Sequence, residues 1–202
     1  MNKCIWHFEG GDLSEIYNNQ IHDNSVGGDL IIGGVVVKLP TFDIKMSAES
    51  LRRMIERHEK LKEDDPQYQY VLEELQSKIE HVEPRLVIGL ESKLEMAGRS
   101  VYIPEALRFS QKAAKLITKF QHVRSYQIIF HHMLGLILTR FENQIRPLLA
   151  KGCDDLTVGA AINAIIIEPL YMEVSMVDGY INSEVVQGML YFLTEKCHVE
   201  WR

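Results

Sequence analysis

Arg124 and His131 come nearest in this chain to a reactive pair. Two helical turns separate them, which places both side chains on one helix face. A guanidinium there can stabilise charge developing on a phosphate, and an imidazole can move a proton. The spacing recurs often by chance, so the pair stands as the alternative to a chain with no catalytic residues. His131-His132, with His122 nearby, raises the question of a metal. Adjacent histidines on a helix point about 100° apart, whereas a shared ion needs a spacing such as i, i+4. No metal site is expected.

Cys197-His198 has a thiol beside a base. A thiolate nucleophile needs that base oriented by a third group, and sequence neighbours rarely achieve the geometry. Packing of a small thiol is the better reading. The run Gly27-Gly28-Asp29-Leu30-Ile31-Ile32-Gly33-Gly34 has the glycines of a phosphate loop without its Lys-Ser/Thr end, and no helix follows it directly. Turns in a small β element explain it, and no cofactor is expected. Lys112, Lys115 and Lys119 form a basic stripe that reads as a solvated helix face.

Two regimes meet near Pro40. Residues 5–39 are β-like, with Ile16-Tyr17, Ile21, Val26, Leu30-Ile31-Ile32 and Val35-Val36-Val37 as apolar elements between glycine and asparagine turns. Strands so short form no stable sheet alone. Pairing with copies of the same chain is the expectation, giving a dimer or tetramer with Leu30, Ile31, Ile32, Val35 and Val37 near the contact. Folding back on the helical region within one chain is the competing arrangement.

From residue 47 onward the pattern is helical. Ser47 is the expected cap of a first helix carrying Leu51, Met54, Ile55, His58 and Leu61 at 3.6-residue spacing. Asp65 with Pro66 starts a second, bearing Tyr70, Val71, Leu75 and Ile79. Further helices are predicted over Leu86 to Met96, after Pro104, over about 121–149 with Pro147 near the end, and over Leu156 to Ile167 with Pro169 past the end. The last runs from Ser183, as cap, to Lys196. The fold class is mainly α, about six to eight helices behind a small Gly-rich β segment. The expected division is 1–40 for oligomerisation and 41–202 for protein interaction.

At 202 residues, with 46% hydrophobic and 25% charged residues, the chain can bury one sizeable core. A net charge of −6 argues against nucleic acid as the main ligand. Three scattered cysteines without a CxxC pair fit reduced thiols. Neither a signal peptide nor ~18 consecutive apolar residues is present, so a cytoplasmic protein outside the membrane is expected.

The chain closes on Gly188-Met189-Leu190-Tyr191-Phe192-Leu193-Thr194, then Cys197-His198-Val199-Glu200-Trp201. Termini usually fray, so an apolar tail has something to dock against, its own core or a partner. Leu190, Phe192, Leu193, Val199 and Trp201 are expected to be buried, with Phe192, Val199 and Trp201 as partner-docking candidates. This tail, the Leu75-Gln76 helix, Val87-Ile88-Gly89-Leu90-Glu91-Ser92-Lys93-Leu94, Phe141-Glu142-Asn143-Gln144-Ile145-Arg146-Pro147-Leu148 and Ile167-Glu168-Pro169-Leu170 occur in a fixed order. Over roughly residues 50–201 they resemble the C-terminal domain of bacterial ABC-three-component conflict systems, of which the Lamassu anti-phage systems are the best-known branch. The resemblance implies an ABC or SMC-like ATPase and a middle component as partners, with the third protein carrying this domain behind an effector. No effector is recognisable here, so an effector-less, non-catalytic docking module is expected. The alternative built on Arg124 and His131 resembles the HEPN ribonucleases.

Overall fold

The computed structural model describes residues 25–32, 35–82 and 88–201. The expected strands at Ile16-Tyr17 and Ile21, the turn at Gly33-Gly34 and the helix start at Leu86 lie outside them. Two antiparallel strands, β1 (Ser25–Ile32) and β2 (Val35–Asp43), pair Leu30 with Val37, Ile31 with Val36 and Ile32 with Val35. Gly27-Gly28, expected as a turn, lies within β1. The register shifts by one between Val26 and Gly28. The extra residue falls on β2 beside Pro40, a residue with no N–H for a ladder and at home in a bulge or edge strand. β2 therefore continues past Pro40.

β2 leads straight into α1 (Ile44–Lys60). Asp43 caps it, accepting from the Met46 N–H at 2.9 Å, so Ser47 lies inside the helix rather than at its start. Asp65 caps α2 (Pro66–Ile79) through the Gln67 N–H, as the Asp-Pro pair predicts. α3 (Leu90–Met96) begins at Leu90, after Gly89 in an extended conformation. A 3-10 turn over Ser100–Tyr102 leads to α4 (Ile103–Phe120), which takes Pro104 into its first turn. α5 (Arg124–Arg140) follows.

Both long helical runs pass through their prolines instead of stopping. α5 enters a π-turn over Phe141–Ile145 and continues as α6 (Arg146–Ala150). α7 (Asp155–Ile162) enters a π-turn over Asn163–Ile167 and continues as α8 (Glu168–Ser175). In each case the residue before the proline donates five residues back, Arg146 to Phe141 and Glu168 to Asn163. A proline ring clashes with the carbonyl four residues earlier in a regular helix. The wider π-turn gives the ring that room. α9 (Ser183–Glu195) closes the fold, capped by Asn182 rather than Ser183, with the Val185 N–H donating at 3.1 Å. Among the described residues these segments form seven continuous helical runs, a mainly α fold as expected.

α5 runs through the middle of the core. Ile128, Phe130, Met133, Leu134 and Ile137 are buried, and it packs on α1, α2 and α9. A helix apolar nearly all round is a core helix, and α9 is another, buried through most of its length. Its partner is α4. Gly188 of α9 lies so close to α4 that an added Cβ would sit 2.3 Å from the Phe109 carbonyl oxygen. The run Asp155–Ser175 is long and apolar enough to cross a bilayer by composition alone, yet most of it is buried inside this fold.

Candidate functional site

Three helices end in the same hydrogen-bonded turn. After α3, α6 and α9 the next N–H groups reach back to carbonyls near the helix end, with Gly98, Gly152 and Cys197 at positive φ. Glycine adopts that conformation without steric cost, and Cys197, at φ 68°, does not. There the Cys197 N–H donates to Thr194 at 3.1 Å and the His198 N–H to Leu193 at 2.9 Å. The turn sends the chain back along α9 and carries Val199 and Trp201 into the core.

Trp201 is held on every side. Its indole N–H donates to the Thr194 hydroxyl at 3.0 Å, which in turn donates to the Leu190 carbonyl at 2.9 Å. Phe141 meets the ring edge-on at 5.4 Å, Tyr191 stacks at 6.1 Å, and the Arg99 guanidinium lies 5.4 Å from the centroid. Arg99, itself buried, pairs with Asp155 at 3.0 Å. Lys93 donates to the Thr194 carbonyl, the Val82 N–H to Lys196 at 3.2 Å, and His198 to the Glu80 carbonyl at 3.0 Å. The tail thus ties α2, α3, α7 and α9 together. Phe192, Val199 and Trp201 are 4%, 0% and 7% exposed, so all three face the protein's own core, as do Leu190 and Leu193. Cys197 is buried and His198 is bonded to α2's end, which is the packing reading of that pair.

Arg124 and His131 share α5 and little else. Arg124 donates to the Leu61 carbonyl at 2.6 Å and lies near those of Glu59 and His58 at 3.4 and 3.5 Å. It also stacks over Tyr68 at 4.7 Å and approaches Glu63 at 3.6 Å. The Leu61 N–H already serves the His58 carbonyl at 3.2 Å, and Arg124 supplies a donor for the carbonyls beyond it, so it closes the C-terminus of α1. His131 faces α2 instead, near Lys78 and Glu74. Burial first, then the positive charge of Lys78, holds its pKa below the ordinary histidine value. His132 points elsewhere, with Nε2 2.6 Å from the Glu173 carboxylate on α8. The divergence follows from the angle between adjacent helical side chains. Among the described residues no group of three or more His, Cys, Asp or Glu is placed to hold a metal.

Arg140 and Glu173 carry a role that sequence reading misses. Pro169 has no N–H to offer the Ile165 carbonyl four residues earlier, and Arg140 donates to that carbonyl at 3.1 Å. The same guanidinium lies over Phe42 of β2 at 4.2 Å, and its burial pulls its pKa down. Glu173, only 1% exposed, accepts from His132 and adds a negative charge nearby. These groups join α5, the second π-turn, α8 and the base of the hairpin. The visible signal is an arginine ending an apolar helix and a proline inside another; their meeting is not written in either segment. Leu30, Ile31, Ile32, Val35 and Val37 lie on the paired strands β1 and β2, and Val36 between them is exposed.

No curated protein and no solved structure matches the chain. A family model does, across residues 89–201, from the residue before α3 to the buried tryptophan. The β hairpin, α1 and α2, including Leu75-Gln76, lie before that match. It spans more than half of the 202 residues, and its end coincides with the tail that Trp201 fastens. The chain belongs to the family of C-terminal domain 9 of the ABC-three-component systems.

Proposed function

We propose that this protein is a non-catalytic interaction and oligomerisation module of a bacterial ABC/SMC-ATPase-linked defence system, acting in the cytoplasm. Its helical domain docks onto the ATPase and the middle component of the same system. Membership of the ABC-three-component family over residues 89–201 carries this reading. Supporting it, the Arg99–Asp155 ion pair joins the segment before α4 to the start of α7. Beside that pair in sequence, Val101 and Leu156 are 78% and 73% exposed. Apolar side chains so exposed on joined segments suit a contact that partners complete. Phe192, Val199 and Trp201 serve docking indirectly in this reading, by fixing α9 and Arg99 beneath that surface. Co-purification with the ATPase and middle component of its own system tests it. Val101→Asp with Leu156→Asp is expected to abolish the complex while leaving the melting temperature within a few degrees. Undiminished co-purification of the double variant would sink the docking surface.

The segment up to Pro40 supplies oligomerisation. A two-stranded ribbon leaves two open edges, and open edges pair with further strands. Pairing through Leu30, Ile31, Ile32, Val35 and Val37 gives a dimer or tetramer with the helical domains outside. Light scattering on the full-length chain, and on a truncated chain beginning at Thr41, separates this from a hairpin that merely folds back. A monomeric full-length chain at tens of micromolar refutes it, as does an unchanged assembly of the truncated one.

A further inference from the structure

Helices α1 and α2 pack on α5 through Leu51 and Leu75, yet part of the seam stays unfilled. Between them lies a cavity of about 590 Å³, within the range of sites that enclose small molecules. Met54, Leu61, Val71, Ile128 and Leu136 supply apolar walls. Polar groups converge from the remaining side: His58 from α1, Glu74 and Lys78 from α2, His131 from α5. Lys78, with its side chain only 12% exposed, holds the Glu74 carboxylate at 2.8 Å. Arg57, also lining the cavity, is fixed by Gln67 at 2.8 Å. Two cations thus face one carboxylate, and the lining is net positive.

Two nitrogens here are buried without partners, Nδ1 of His58 and Nδ1 of His131. His58 is 2% exposed, and its Nε2–H donates to the Gln127 side-chain oxygen at 3.0 Å. That bond leaves Nδ1 of the neutral ring an acceptor with nothing to accept from. Burying such a group unpaired costs about 1–3 kcal/mol.

We propose that this cavity binds a small organic anion, a carboxylate or phosphate monoester on a compact apolar body. The anionic oxygens lie beside Lys78 and His131, and the body lies against the Met54, Val71 and Leu136 walls. Burial, Lys78, His132 and His58 all disfavour the charged form of His131 and Glu74 favours it, so a further negative group beside the ring couples binding to proton uptake, and binding tightens as pH falls. The placement has a structural consequence. α1 and α2 lie outside the family-matched region and α5 lies inside it, so an occupant clamps the N-terminal helical pair onto the family domain.

Calorimetry and histidine NMR on the full-length protein test the proposal with phenyl phosphate, phenylacetate and inorganic phosphate as probes. Saturable one-to-one binding of phenyl phosphate or phenylacetate is expected, at least about tenfold tighter than inorganic phosphate because only the former fill the walls. Whichever probe binds more tightly identifies the headgroup. Phenylacetate stays ionised between about pH 6 and pH 8, so its tighter binding at the lower value, with a raised His131 titration, reports the proton coupling. Lys78→Met weakens binding by about tenfold or more. Gly135→Leu offers a second route, since Gly135 lines the cavity and an added Cβ there meets nothing within 4 Å. The leucine is expected to occupy the space and abolish binding, and an unchanged far-UV spectrum checks that the protein stays folded. No saturable binding of either organic anion up to roughly 10 mM, or unchanged binding in both variants, overturns the proposal.

Discussion

The two seams that α5 and α9 make with the rest of the molecule are built in opposite ways. Where α9 meets α4, backbone approaches backbone at Gly188, and no room remains for a methyl group. Where α5 meets α1 and α2, a cavity stays open and its polar side is held by histidines, Lys78, Glu74 and Gln127. The first seam lies wholly within the family-matched residues, and the second joins them to a segment outside. Close packing specifies a rigid body. A partly filled seam with charged groups along it ties the stability of its helices to those charges as well as to apolar burial at Leu51 and Leu75. One chain thus carries a close-packed body and a partly filled, charged attachment.

The tight seam should fail first and hardest. Trp201→Ala removes a buried ring together with its contacts to Phe141, Tyr191 and Arg99, and a loss of about 3–5 kcal/mol is expected in urea unfolding. A loss under about 1 kcal/mol would mean the tail decorates the core rather than fastening it.

Gly188→Ala comes next, at about 3 kcal/mol, because the obstructing atoms are the Phe109 backbone and cannot swing aside. The same change at Gly135, where an added Cβ meets nothing, should be neutral or stabilising, since alanine favours helix by about 1 kcal/mol. Equal effects at the two glycines would erase the contrast between the seams.

Within the loose seam, Arg124 and His131 should separate. Arg124→Ala leaves the Leu61 carbonyl at the end of α1 without its side-chain donor and should cost about 1–2 kcal/mol. His131→Ala should cost less, because its Nδ1 has no partner to lose. If instead each variant abolished an RNA-cleaving activity without touching stability, the two would be a catalytic pair.

The smallest effect is a slope with pH. The folded-state pKa of His131 lies below the ordinary value of 6.5, so the unfolded chain takes up its proton first as pH falls. The stability this neutral ring contributes is complete above that value and is lost as pH falls through the lower folded one. His131→Gln should flatten the melting-temperature profile in that window. Glu74, held below its usual 4.5 chiefly by its hydrogen bond from Lys78, acts in a more acidic window. A profile unchanged by His131→Gln would assign the seam's pH response elsewhere.

Much of this arrangement is legible in the residues themselves. Asp65-Pro66 starts α2, Gly98 and Gly152 follow the ends of α3 and α6, and the apolar 3.6-residue pattern marks α1, α5 and α9 as helices. These signals are local: a cap, a positive φ and a face are settled within a few residues. That Val199 and Trp201 are covered is legible too, although the residues leave open whether the core or a partner covers them. Other assignments depend on groups far away in sequence. Pro147 and Pro169 read as helix ends, but the chain winds a π-turn ahead of each and continues. Arg124 reads as half of a reactive pair until the carbonyls of α1, more than sixty residues earlier, are found in its grip.

By itself the sequence determined a mainly helical chain, the Asp65-Pro66 start of α2, an apolar tail that must be covered and the family those segments belong to. The tertiary structure alone decided that Arg140 serves the carbonyl Pro169 cannot, that His131 and His132 face different helices, and that the seam of α1 and α2 with α5 leaves a cavity. The reason is physical: hydrogen bonding and periodicity act along the chain, whereas an orphaned carbonyl, a buried charge and an unfilled space acquire partners only when distant segments meet.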